Sequence, residues 1–260
     1  MNPVINLGFI SIHIYSLCIL IGIVCAYFLI IREAERFNIK KEDVSDMLFY
    51  TIIFGILGAR IYYCLFNIDY YALNILDIFK IWEGGLAIHG GIIAGAITVI
   101  FYCKKKNINL LLMFDILVVG LILAQAIGRW GNFFNVEAHG GVTTLSHLKS
   151  LYLPKFIIDG MYIDGNYYIP TFLYESIWCL MGFLIMFFLR HKSFNKIGYL
   201  TGFYFIFYGF ERFLVEGLRT DSLMFLSLKV AQIISIIMLI IGICLLIYSF
   251  KKQKKYNTEV

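Results

Sequence analysis

The sequence predicts an all-α polytopic membrane protein of about seven transmembrane helices, with a small outward-facing head that contains short β-strands. Composition is the first of three observations behind that reading. Hydrophobic residues make up 60% of the 260 and charged residues 15%, and mean hydropathy is +0.81, whereas soluble domains average about 45–50% apolar and about 25% charged. This excludes a soluble enzyme, a disordered chain and a disulfide scaffold. The second observation is a series of apolar segments long enough to cross a bilayer. The third is an uneven sharing of lysine and arginine between alternate loops.

A span needs roughly 20 mostly apolar residues whose backbone polar groups are satisfied internally. Segments 10–31, 46–66, 85–103, 110–128, 170–189, 199–216 and 229–250 qualify. The first has no basic residue ahead of it and runs directly into Arg32, so it reads as a retained helix; a signal peptide has a positive leading region. Together the segments form one integral membrane domain over residues 1–260.

One set of loops collects Arg32, Arg36, Lys40 and Lys41, then Lys104, Lys105 and Lys106, then Arg190, Lys192 and Lys196. The tail adds Lys251, Lys252, Lys254 and Lys255 to the same side, while the opposite side holds Lys80, Lys149, Lys155, Arg219 and Lys229. Basic residues accumulate on cytoplasmic loops. The expected topology is therefore N-terminus outside, C-terminus cytoplasmic and an odd number of spans. The net charge of +5 is then a topology signal and calls for no nucleic acid.

Cys18, Cys25, Cys64, Cys103, Cys179 and Cys244 all fall inside predicted spans and read as small buried hydrophobes. No CxxC occurs, and no His, Cys and carboxylate set has metal spacing, so neither a metal nor a soluble cofactor is expected. The one long insertion, 130–169, forms the outward-facing head. Its Asp159-Gly160 and Asp164-Gly165 pairs separate short β-prone runs and suggest hairpin turns in a small meander.

Ionisable residues within spans are costly and mark functional sites by default. Gly84-Gly85-Leu86-Ala87-Ile88-His89-Gly90-Gly91 opens the third span; Gly91 and Gly95 form a packing motif, and His89 is a candidate for catalysis or lipid contact. Where the fourth span leaves the membrane, Arg129, Asn132, Asn135 and Glu137 interleave with glycine up to Gly140, more polar chemistry than anchoring requires. On the sixth span, Tyr208, Arg212, Glu216 and Arg219 fall on one stripe at about 100° per residue. Arg212 and Glu216 also suit a plain ion pair within the helix. Tyr15 and Glu175 complete the set, while Arg60 and Asp115 read as structural partners inside the bundle. The topology puts the candidates at the outer third of the membrane. A cationic, histidine-containing cluster at one interface suits an enzyme acting on an anionic lipid headgroup. A transporter would place its charges through the midplane, and a scaffold would leave the Arg, His and Glu convergence idle.

GGLAIHGG, GRWGNFFNVEAHG, PTFLYES and YGFERFLVEGLRTDSL, in this order and on these spans, closely resemble the bacterial prolipoprotein diacylglyceryl transferase family. The similarity runs from Tyr15 to Thr220-Asp221, and its GRxGNFxNxE block is highly specific. The resemblance implies a bacterial cell-membrane enzyme that moves the diacylglyceryl group of phosphatidylglycerol onto the lipobox cysteine thiol of a preprolipoprotein signal peptide. A thioether forms and glycerol phosphate leaves, the first step of lipoprotein maturation. It implies catalytic roles for His89, Arg129, Tyr208, Arg212 and Glu216. Substrate binding falls to Tyr15, Asn132, Glu137, Gly140 and Arg219, with Arg129 and Arg212 shared. Two departures from the family pattern are Ile169, where a histidine is common, and His139, where a tyrosine is frequent.

The topology has a direct check. With cysteine introduced at Gly160 or Lys105, an impermeant thiol reagent added to intact cells is expected to label the first and spare the second; the reverse pattern would invert the orientation.

Overall fold

The computed structural model describes residues 3–6, 11–192, 195–219, 224–225 and 228–252. Thr220, Asp221, Lys254 and Lys255, which the sequence reading used, lie outside the described residues. The chain divides into two compact units, Met1–Ile30 with Phe114–Val260, and Ile31–Met113.

An antiparallel hairpin of β1 (Val4–Asn6) and β2 (Ser11–His13), with Val4 opposite His13, leads straight into α1 (Ile14–Glu35). The second unit takes the end of α1, then α2 (Lys41–Phe66), α3 (Ile68–Leu73), two short 3-10 turns at Ile75–Phe79 and Ile81–Glu83, and α4 (Ile88–Lys106). The expectation of one non-spanning insertion therefore misses a second folded connection, between α2 and α4. These two helices meet through glycines. A side chain on Gly58 would strike Ala94 and the Gly90 carbonyl, and Gly91 and Gly95 face Gly55 and Thr51, so the predicted packing motif is one. Lys106 and Asp43 form an ion pair of 2.6 Å at the far end of the same hairpin.

α5 (Leu110–Asn135) continues seven residues beyond its expected end, so Arg129 and Asn132 stand on a helix rather than on a departing loop. Trp130, Phe133 and Phe134 recur at i, i+3 and i+4 and pack into the head's apolar core, with Leu148, Ile157, Ile158, Met161, Phe172 and Leu173; burying that face keeps the helix going. The head itself is β3 (Val142–Thr143), α6 (Leu145–Ser150), α7 (Lys155–Gly160), β4 (Tyr162–Ile163) and β5 (Asn166–Tyr168), with strand order β3-β5-β4. Asp164 (φ +47) and Gly165 (φ +86) make the expected two-residue turn between β4 and β5. Asp159-Gly160 does not turn a hairpin: it ends α7, which Pro154 opens and whose Ile157 and Ile158 are drawn into the core.

After the head come α8 (Thr171–Leu189), α9 (Tyr199–Leu218), the short pair β6 (Met224–Phe225) and β7 (Leu228–Lys229), and α10 (Val230–Lys252). A helix thus occupies each of the predicted segments. Five of them, α1, α2, α5, α8 and α10, are long and apolar enough to cross a membrane, which makes this a polytopic membrane protein. Glycines, His89 and three terminal lysines dilute α4, and α9 carries Glu211, Arg212 and Glu216. All six cysteines are unpaired and helical.

Arg60 and Asp115 are structural, but each has its own partners. Helix starts leave N–H groups without acceptors, and Gly198 at the start of α9 has no side chain to supply one. Asp115 of α5 does so instead, accepting from Gly198 N (2.5 Å), Thr201 N (2.8 Å) and Thr201 Oγ1 (2.6 Å). Arg60 donates to backbone carbonyls of the α2–α4 connection, among them Asp77 (2.6 Å) and Gly84 (2.7 Å).

Asp115→Ala strips three donors of α9 of their acceptor. It is expected to destabilise the protein by about 2–4 kcal/mol, read as a lowered thermal unfolding midpoint in detergent, with Asp115→Asn falling between the two.

Candidate functional site

In the first unit, three helices bring charge to one end of the bundle. Glu175, in the first turns of α8, has no exposed surface. One of its oxygens, Oε1, lies 3.1 Å from Arg129 Nη2 on α5 and 2.8 Å from Arg212 Nη1 on α9. Arg212 Nη2 reaches Glu216 Oε2 at 2.7 Å, one turn along α9, which is the ion pair that the spacing allowed. Arg129 Nη2 also donates to the Tyr208 hydroxyl at 3.3 Å. Tyr208 stacks on Tyr204 at 5.6 Å, and Tyr204 accepts from Gln125 on α5 at 2.9 Å.

Exposure sorts these groups by kind. The arginine side chains keep 17% and 19% of their surface open, whereas Glu175 and Glu216 keep 0% and 3%. Carboxylates therefore stand behind and guanidinium heads in front. Among the described residues, Arg129 Nε and Nη1 and Arg212 Nε have no partner. A guanidinium presents five N–H donors in a planar fork, so both arginines hold donors in reserve for an anion.

The signature residues beyond Arg129 form a second group. Asn132 and Asn135 donate to the two oxygens of Glu137, each at 2.9 Å, at an exposed site. Val136 (φ +57) and Ala138 (φ +56) on either side of Glu137 both take left-handed backbone, a costly conformation for residues with a Cβ. The turn is held by Thr171, whose hydroxyl donates to the Ala138 carbonyl at 2.6 Å. Tyr15, in the first turn of α1, lays its ring on Gly131 and is within electrostatic reach of Glu137 and Arg129. Gly140 pairs with Arg219 as an isolated antiparallel bridge. It also donates to the Ile169 carbonyl at 2.9 Å, and a Cβ on it would come 2.8 Å from that of Ile169. The two departures from the family pattern share this corner, His139 packing its ring 4.2 Å from Tyr168. Lys229 Nζ donates to the carbonyls of Glu216 (2.6 Å) and Arg219 (2.9 Å) and so closes the end of α9.

The structure thus gathers Arg129, Tyr208, Arg212 and Glu216 in direct contact and sets Tyr15, Asn132, Glu137, Gly140 and Arg219 on the adjoining turns. His89 belongs to the second unit, where its ring lies 6.2 Å from that of Tyr62. Sequence reasoning gave no role to two residues. Glu175 has no partner that the sequence reveals, because nothing in a single sequence says that two arginines on other helices meet it. Glu211 was passed over because its helical phase falls beside the Tyr208 stripe. It is 2% exposed, neither of its oxygens has a hydrogen-bond partner among the described residues, and it lies within electrostatic reach of Glu175 and Arg129. An acid next to Arg212 in an otherwise apolar helix was the available signal.

The family model described as Prolipoprotein diacylglyceryl transferase matches residues 2–248. A phosphatidylglycerol–prolipoprotein diacylglyceryl transferase of Staphylococcus carnosus (strain TM300) is 48% identical over 257 residues, covering 98% of this chain and 93% of the relative. A protein of the same description from Staphylococcus aureus (strain JH9) is 46% identical over 253 residues, covering 97% and 89%.

Removing Glu175 leaves two largely buried guanidinium groups facing each other. Glu175→Ala is expected to cost about 2–4 kcal/mol, somewhat below the range for fully buried pairs because the arginines keep some solvent. In a double-mutant cycle with Arg212→Met, thermal midpoints in detergent should reveal coupling of at least about 1 kcal/mol; additive losses would mean that the ion pair contributes nothing.

Proposed function

This chain belongs to the prolipoprotein diacylglyceryl transferase family, and from that premise we infer that it transfers the diacylglyceryl group of phosphatidylglycerol to a prolipoprotein. The acceptor is the lipobox cysteine thiol at the end of a preprolipoprotein signal peptide. Its sulfur attacks the phosphate-bearing carbon of the diacylated glycerol; a C–S bond forms, the C–O bond to phosphate breaks, and the electron pair stays on the departing glycerol phosphate.

Charge governs what the protein must supply. The lipid carbon is an unactivated primary centre, and its leaving group gains negative charge as a phosphodiester becomes a monoester. Preorganised cationic donors aimed at that charge give the largest single contribution in such chemistry. The observation that carries the assignment is the meeting of Arg129 and Arg212, from two helices, at one buried Glu175 oxygen, with Arg129 Nε and Nη1 and Arg212 Nε without a partner among the described residues. In this reading the two arginines grip the lipid phosphate from two sides. Glu216 orients Arg212 from one turn away, and Tyr208 steadies Arg129. The thiol must lose a proton, its reference pKa being about 8.5. His89, in the first turn of α4, serves as proton acceptor or hydrogen-bonding partner of the reacting groups. Tyr15, Asn132, Glu137, Gly140 and Arg219 line the way to the arginines. The head, 130–169, receives the peptide, for the outer strands of its small sheet can pair with an extended chain.

The same reading treats α4 and α9 as spans, for seven in all within one membrane domain. It sets the protein in the bacterial cell membrane with the N-terminus outside, as the basic residues favour.

The decisive assay incubates purified protein with headgroup-labelled phosphatidylglycerol and a lipobox peptide, and requires release of labelled glycerol phosphate to match thioether formation. Lysine keeps the charge of arginine but loses the planar fork. Arg129→Lys and Arg212→Lys are each expected to lower kcat at least about tenfold, within the range for loss of one oxyanion donor, while the protein still inserts. Undiminished turnover in both would replace the two-armed grip with a diffuse positive field.

A further inference from the structure

The connection between α2 and α4 does not stand above the membrane end of α2; it runs back down beside it. The apolar part of α2 begins at Met47, after Lys41, Glu42, Asp43 and Asp46, and ends at Phe66. At about 1.5 Å per residue that stretch is about 30 Å long, the thickness of the hydrocarbon layer. Arg60 therefore lies about 9 Å inside the layer. Ala87 N donates to the Ala59 carbonyl at 3.0 Å, so the chain has already descended to that level when α4 begins. Gly58 against Gly90 gives the same register.

Backbone that is not regular helix is tolerated at lipid depth only where its polar groups are satisfied within the protein. Arg60 does this for the connection. Nε donates to the Ile78 carbonyl (2.9 Å), Nη1 to Gly84 (2.7 Å) and Gly85 (3.0 Å), and Nη2 to Asp77 (2.6 Å) and Lys80 (3.4 Å). Asp77 and Lys80 each already accept one N–H from three residues on, Lys80 N at 3.1 Å and Glu83 N at 3.3 Å, so Arg60 adds a second donor there, while it also serves the Ile78, Gly84 and Gly85 carbonyls where the chain leaves regular helix. The charged side chains close on one another as well, with Lys80 on Asp77 at 2.6 Å and the Tyr70 hydroxyl on Asp77 at 2.7 Å. The most exposed side chains of the segment are apolar, and beside them Asn74, Glu83 and the Lys80 side chain, with 41% of its surface open, make a polar edge. Leu73 is 85% exposed, Leu76 and Trp82 77%, and Phe79 71%, and this face continues the exposed apolar surface of α2 at Ile61, Leu65 and Phe66. An exposed apolar patch of this kind marks a surface covered by lipid or by another protein.

We propose that residues 74–87 form a re-entrant segment immersed in the lipid of one leaflet, with Arg60 as the internal cap that makes immersion possible. The partner of the exposed face is acyl chain and glycerol backbone. The segment leads through Gly84 and Gly85 into the first turn of α4, which carries His89.

Tryptophan fluorescence in proteoliposomes tests this without reference to activity. The signal of wild-type protein minus that of Trp82→Phe isolates the share of Trp82 and leaves Trp130 and Trp178 in place. Phosphatidylcholine brominated high on the acyl chain is expected to quench at least about half of that share, while aqueous iodide leaves it nearly unchanged. Arg60→Lys keeps the charge but loses the multi-carbonyl fork, and should move the Trp82 share from lipid-quenched to iodide-quenched. If iodide reaches Trp82 in the unaltered protein and brominated lipid does not, the segment stands in water and the proposal fails. Protection from both quenchers would mean that protein, such as a second copy of this chain, covers the face, and would equally overturn it.

Discussion

One buried oxygen organises the charged end of the first unit. Glu175 Oε1 accepts a hydrogen bond from Arg212 of α9 and pairs with the Arg129 guanidinium of α5 at 3.1 Å, and without it two guanidinium groups would approach each other in a poorly solvated place. Their repulsion and the desolvation of each charge would be uncompensated. The carboxylate settles the pairing and, because it draws on few of the available donors, leaves the arginines able to hold an anion. A lipid phosphate needs such a site: cations already in position, so that little reorganisation accompanies the gain of charge.

The height of Arg212 along α9 is set by that helix's two ends. Asp115 takes the N–H groups at its start, and Lys229 takes carbonyls at its finish. Neither residue follows from local capping preference, since Gly198 has no side chain and Lys229 lies on a strand after the helix. Close glycine contacts do the remaining work of registration, a Cβ on Gly242 coming within 2.8 Å of the Gly202 carbonyl across α9 and α10. With the ends capped and the sides in contact, a displacement of one residue along α9 would break polar contacts at both ends and at Glu175 together.

In the second unit a single arginine does what many donors do elsewhere. Arg60 serves five carbonyls of a broken segment, the same demand for internal satisfaction that makes the spans helical. A charged residue in an apolar helix can be a ligand site or a backbone donor. Arg129 and Arg212 keep donors free, whereas Arg60 spends its own on the chain.

Much of this protein is written locally. Apolar runs about 20 residues long specify helices in lipid because the backbone has no other partner there, and a helix stands at each segment that the sequence marked. Asp164-Gly165 specifies its turn because these two residues tolerate positive φ, and the Tyr208, Arg212, Glu216 stripe follows from helical period alone. Other features depend on residues far apart in the chain. α5 extends past Arg129 because its aromatic residues meet a head core supplied by residues 145–173, and Asp159-Gly160 closes a helix because that core claims Ile157 and Ile158. Arg60 and Asp115 separate because each finds unsatisfied backbone elsewhere, and Glu175 becomes a shared counter-ion because three helices bring it two arginines. Period and turn chemistry act over a few residues and can be read from the sequence; which buried charge meets which partner is decided only when distant helices pack, since desolvation penalises every arrangement that leaves one unmet.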